Sequence, residues 1–87
     1  MSLISMKPML AAARRAGYGV GAFNILDYNS ARAVVRAAEE LRAPVIIQTS
    51  VKTVKFWGAP AIGSWLRELA ATSPVPVALH QAGLRQG

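Results

Sequence analysis

Three polar side chains close three apolar runs in this chain. Asn24 ends residues 19–24, Ser50 ends residues 44–50 and His80 ends residues 74–80. A short apolar run that finishes on a polar residue is how a buried parallel strand delivers a side chain to a functional face. If the three runs are parallel neighbours, Asn24, Ser50 and His80 share the carboxyl end of one sheet, where α/β folds place their active sites. Taken alone, His80 is as readily a hydrogen-bonded structural histidine as a metal ligand. Lys52 and Lys55, close behind Ser50, have the charge to meet a phosphate, although loop lysines are more often simply solvated. Gly17-Tyr18-Gly19-Val20-Gly21 has too few residues before its last glycine for a dinucleotide fingerprint. It also enters a strand where the fingerprint should leave one.

The elements that must hold these residues can be read from periodicity. Ser5 is placed to cap a first helix, Pro8 is tolerated in its first turn, and Gly17 supplies the stop. Met6, Met9, Leu10 and Ala13 form its apolar stripe. Residues 28–42 have helical spacing, with Tyr28, Ala31, Val34, Val35, Ala38 and Leu41 on one face and Arg32, Arg36, Glu39 and Glu40 on the other. Asp27 or Asn29 can cap that helix. After residues 44–50 a loop is expected through Lys52, Thr53 and Lys55. A third helix then has Pro60 in its first turn and turns Ile62, Trp65, Leu66 and Leu69 inward; Phe56 and Trp57 are expected to pack at its start. The order is helix, strand, helix, strand, helix, strand. Such alternation, with short connections, predicts an α/β fold whose strands are parallel and joined by crossovers. Both crossover helices should cover one face of the sheet, leaving the opposite face and both edges open.

Composition narrows the function classes. A hydrophobic content of 53% against 16% charged residues requires a packed core, and 87 residues allow one small domain at most. With no cysteine, disulfides, thiolate metal sites and cysteine nucleophiles are all excluded, and a reducing cytoplasm is the expected setting. One histidine is too few for a histidine-rich zinc site, which needs three or four ligands. The net charge of +6 is scattered along the chain with no long run of one sign, which argues against a dedicated nucleic-acid surface. No stretch is long and apolar enough to predict a membrane span. Lys7 and Pro8 interrupt any signal-peptide pattern. An organelle transit peptide and a core-capping helix share the amphipathic start, and the capping helix is the preferred reading.

Four segments, in order, carry a resemblance to a known family: Ser2-Leu3-Ile4-Ser5, Gly21-Ala22-Phe23-Asn24, Ala43-Pro44-Val45-Ile46-Ile47-Gln48 and Val75-Pro76-Val77-Ala78-Leu79-His80. Together they resemble the opening of the class II, zinc-dependent fructose- and tagatose-bisphosphate aldolases, over about residues 2–80. The resemblance implies the N-terminal part of a (β/α)8 TIM barrel: a capping helix, three parallel strands and two crossover helices, with the barrel not closed. It implies reversible aldol cleavage of a ketose bisphosphate to dihydroxyacetone phosphate and an aldehyde, with zinc as the family's cofactor and a homo-oligomer as the completed form. Asn24 and Ser50 correspond to the family's substrate-binding residues. The family reads His-Leu-Asp-His after its third strand. Here His80, Gln81, Ala82 and Gly83 stand in those places, so Ala82 replaces the proton-transferring aspartate and Gly83 a zinc histidine. Residues 1–80 are therefore expected to be the aldolase-like portion and residues 81–87 a divergent tail, as a frame shift, truncation or recombined end would leave. The expectation for the chain alone is no activity and no bound zinc. The alternative is a small basic module that binds a protein partner or nucleic acid.

Overall fold

The computed structural model describes residues 3–17 and 19–81. In chain order its elements are β1 (Leu3–Ile4), α1 (Met6–Ala16), β2 (Gly21–Asn24), α2 (Tyr28–Leu41), β3 (Val45–Thr49), α3 (Val51–Trp57), α4 (Ala59–Ala71) and β4 (Val77–Gln81). The strands form one parallel sheet in the order β1-β4-β3-β2. Parallel pairing was expected for the last three. The sheet's centre is β3, whose Val45, Ile46 and Ile47 are all buried because both faces are covered.

On one face, α2 and α4 pack Ala31, Val35, Ile62, Leu66 and Leu69 onto Val45, Ile47 and Val77. Asp27 starts α2 with a capping box: its carboxylate accepts from the Ser30 N–H at 2.8 Å, and its own N–H reaches the Ser30 hydroxyl at 3.1 Å. Pro60 lies in the first turn of α4 as expected. At the end of α2, Arg42 takes a left-handed conformation with φ of 52°, and its N–H bonds back to the Ala38 and Glu39 carbonyls. Pro44 forbids continuation, so the helix stops there without a glycine.

Four expectations need correction. First, β1 precedes α1 and pairs with β4, Leu3 against Val77 and Ile4 against Ala78. Two residues carry no periodicity, and only a partner at the far end of the chain makes them a strand. Second, the segment after Ser50 is helical: α3 is capped by the Ser50 hydroxyl, which accepts from the Thr53 N–H at 3.2 Å. Phe56 and Trp57 thus end α3 rather than begin the next helix. Trp57 Nε1 donates to the Leu26 carbonyl at 2.9 Å, and edge-to-face ring contacts run from Phe56 through Trp57 and Trp65 to Tyr28. Third, Leu10 and Leu41 are exposed despite their place in the apolar stripes. Helix α1 meets the sheet through Met9, with Met6 beside it, and Leu41 lies at the end of α2 beside the sheet's open edge.

Fourth, the face opposite α2 and α4 is not wholly open. Helix α1 lies on its amino-terminal half, where Met9 packs with Ile46 and Ala78, flanked by Ile4, Met6 and Val20. The strands are also shorter at their starts than expected, since Pro44 and Pro76 precede the ladder. Gln81 extends β4 by one residue, and its side-chain amide donates to the Ala59 carbonyl at 3.3 Å. Ala82 and Gly83, with the rest of the tail, lie outside the described residues.

Candidate functional site

Register decides which polar residues meet. In a parallel sheet, paired residues point to the same face and alternate along each strand. Asn24 pairs with Gln48, and Gln48 pairs with His80. All three therefore form one row across β2, β3 and β4. Ala22, Ile46 and Ala78 form the parallel row two residues earlier. Because Ile46 and Ala78 pack beneath α1, the polar row lies on that same face, beyond the reach of the helix. Neighbouring strands are about 4.8 Å apart, so the row spans roughly 10 Å, the width of a small substrate. Asn24 is exposed, and Gln48 and His80 are half-buried.

Asn24 and His80 are thus brought together, with Gln48 between them. Gln48 is not singled out by the sequence, because it lies inside the run that Ser50 closes. Its signal was the break in an apolar string two positions after Ile46, on the same side of the strand. Ser50 lies just past β3, exposed, with its hydroxyl engaged in the first turn of α3. It donates to Thr53 Oγ1 at 3.1 Å and accepts from the Thr53 N–H. It belongs to the carboxyl end of the sheet but not to the row. Lys52 and Lys55 are exposed on α3, and Lys52 borders a shallow depression with Leu26, Asp27, Phe56 and Trp57.

Two further polar groups near this end are structural. The Asp27 carboxyl is held below the usual carboxylate range, chiefly by the Ser30 backbone N–H and then by the Ser30 side chain. That interaction fixes the start of α2. Thr49 is buried, and its hydroxyl has no hydrogen-bond partner. It sits in register with Gln81, one step out of phase with the polar row, so it faces the helices.

The donor chemistry for a metal is thin. Among the described residues, no group of three or more histidine, cysteine, aspartate or glutamate side chains is placed to hold an ion. The row offers one imidazole and two neutral amides, which do not fit a zinc site on their own.

Comparison with known proteins decides the family. The model for class II fructose-bisphosphate aldolases matches residues 4–81. The chain belongs to that family. A fructose-bisphosphate aldolase of Pseudomonas aeruginosa is 40% identical over 82 residues, which cover 93% of this chain and 23% of the relative. A 6-phospho-5-dehydro-2-deoxy-D-gluconate aldolase of Halalkalibacterium halodurans is 44% identical over 85 residues, covering 92% of this chain and 29% of the relative. The crystal structure of the Campylobacter jejuni fructose-bisphosphate aldolase superposes with a TM-score of 0.76 at 31% identity, over 92% of this chain and 28% of that one. The chain spans about a quarter of the length of the curated relatives it matches. The fold is accordingly a section of an aldolase (β/α)8 barrel, with four parallel strands and no closure among the described residues.

Proposed function

We propose that this chain supplies the opening section of a class II aldolase active site, acting on a phosphorylated keto sugar such as fructose or tagatose 1,6-bisphosphate. The observation that carries this reading is the in-register row of Asn24, Gln48 and His80. In a chain of this family, the row occupies the part of the inner face that α1 leaves uncovered. Side-chain amides both donate and accept, which suits the hydroxyl and carbonyl oxygens of such a sugar. We assign substrate contact to Asn24 and to Ser50, whose hydroxyl retains acceptor capacity beside its bonds to Thr53.

The reaction read from the family is reversible aldol cleavage to dihydroxyacetone phosphate and an aldehyde, with zinc as cofactor and an oligomer as the working form. The described residues do not make up the zinc site, and no step through the metal is assigned to them. Ala82 and Gly83 have no proton-transferring or ligating side chain, so the 87-residue chain alone is read as inactive. A cysteine-free chain suits the cytoplasm, and no described helix is long and apolar enough to cross a membrane.

The test is a graft. Residues 1–81 replace the matching section of the Pseudomonas aeruginosa aldolase, which keeps its own sequence downstream. The chimera is expected to cleave fructose 1,6-bisphosphate in a chelator-sensitive manner. Asn24→Ala and Ser50→Ala should each lower kcat/KM by about tenfold or more, the worth of one well-placed hydrogen bond to substrate. A folded chimera whose turnover ignores both substitutions would overturn the assignment. The ungrafted chain should give no turnover above a buffer blank.

A further inference from the structure

Leu26 follows Asn24 by two residues, and its side chain is 73% exposed, so packing does little to hold it. Hydrogen bonds hold it instead. The Leu26 N–H donates to the Ser30 hydroxyl at 2.9 Å, and its carbonyl accepts from Trp57 Nε1 at 2.9 Å. One step earlier, Ile25 is buried, and its N–H donates to the Gln48 carbonyl at 3.0 Å. Of these three bonds, the one from Trp57 reaches the segment from α3, across 31 residues of chain.

Both ends of α3 are therefore fastened. Its first turn is fixed at Ser50, whose hydroxyl accepts from the Thr53 N–H, and its last residue is Trp57. Between them the helix is a rod of about 10 Å. The Trp57 ring is itself held edge-on against Trp65 of α4, with centroids 5.1 Å apart. Trp65 in turn meets Tyr28, the first residue of α2, in the same manner at 6.2 Å. The indole N–H is thus aimed by ring packing at the carbonyl it meets. A rod braced in this way couples the segment after Asn24 to the turn that carries Ser50. We propose that Trp57 is a positioning residue: through its bond to the Leu26 carbonyl it sets where Asn24 stands relative to Ser50. This inference rests on the reading that Asn24 and Ser50 touch substrate. It assigns the role to the N–H, because the ring contacts alone do not engage Leu26.

The test is Trp57→Phe, which keeps an aromatic ring and removes the donor. In the Pseudomonas aeruginosa chimera it is expected to lower kcat/KM for fructose 1,6-bisphosphate about tenfold, the scale on which a small misplacement of a binding group is felt. A merely structural role would give that loss whatever stands at position 24. A positioning role would not: added to Asn24→Ala, Trp57→Phe should cost less than about twofold more. In the full 87-residue chain, Trp57→Phe should quicken hydrogen exchange at the Leu26 and Asp27 amides about fivefold, with the amides of Val45–Thr49 unchanged. Unchanged kcat/KM, or a loss fully additive with that of Asn24→Ala, would overturn the proposal and leave the substrate reading of Asn24 standing. An Asn24→Ala chimera as active as its parent would overturn both. Exchange at Leu26 and Asp27 that stays the same, or that quickens equally along β3, would also overturn the proposal, whether or not the chimera turns over.

Discussion

The inner face of the sheet is built differently at its two ends. At the amino-terminal end, Ile46 and Ala78 are 4% and 0% exposed because Met9 of α1 lies on them. One row further on, Asn24, Gln48 and His80 repeat the same registered pattern across the same three strands, without a helix above them. The strand geometry is identical, so the difference comes from side chains and from the length of α1. Apolar residues recruit a cover. Polar ones gain more from water or a ligand than from a helix that would bury them unpaired. One end therefore holds the chain together, and the other remains available for chemistry.

The comparison breaks most sharply with a charge beneath α1. Ile46→Asp would bury a carboxylate among the apolar side chains of Met9, Ala78 and Ile4. A loss of about 4 kcal/mol or more is expected, enough to abolish cooperative unfolding followed by tryptophan fluorescence. Milder contrasts sharpen it. Met9→Ala should cost about 2–3 kcal/mol through lost burial and a cavity. Gln48→Ala, one row along on the same face, should stay within about 0.5 kcal/mol, as befits a partly solvated side chain. Equal effects of the two in chemical denaturation would show that the ends are not distinct.

A substitution on the helix side gives a smaller change of opposite sign. Thr49→Val removes a buried hydroxyl without a partner and keeps the shape, so the midpoint of unfolding should rise by about 1 kcal/mol equivalent. The smallest effect is at Asp27. Its carboxyl is lowered in the folded chain, so its contribution is present above the ordinary carboxylate range and is lost as pH falls through the lowered folded value. Wild type should exceed Asp27→Asn in stability at neutral pH, and the gap should close as the pH falls through the lowered folded value. A gap that persists in acid would mean that charge is not its source.

Periodicity and punctuation made most of this legible in advance. The apolar runs at β3 and β4, a cap at Asp27 or Asn29, the stop at Gly17 and Pro60 at the start of α4 all act locally, so each is visible in a few residues. What escaped depends on distant partners. The strand Leu3–Ile4 exists because β4 receives it. Helix α3 was read as a loop because its lysines and threonine give no apolar stripe. It is held by the Ser50 cap and by Trp57 reaching Leu26 and Trp65. Of the polar row, Asn24 and His80 are visible in the sequence because each ends a run, whereas Gln48 needs the register between strands.

The pairing of Leu3 with Val77 has a consequence for how the molecule is made. The first described residues are fastened to the last strand, almost a whole chain length later. During synthesis the apolar stripe of α1 leaves the ribosome long before Ala78, one of its two buried sheet contacts, has been added. Until β4 arrives, Met9 has only part of its packing, and closing so long a loop is among the slower routes to a native contact. The nascent chain is thus expected to hold α2 against β3 early and to seat α1 last, with the residues before β4 the most vulnerable to off-pathway association.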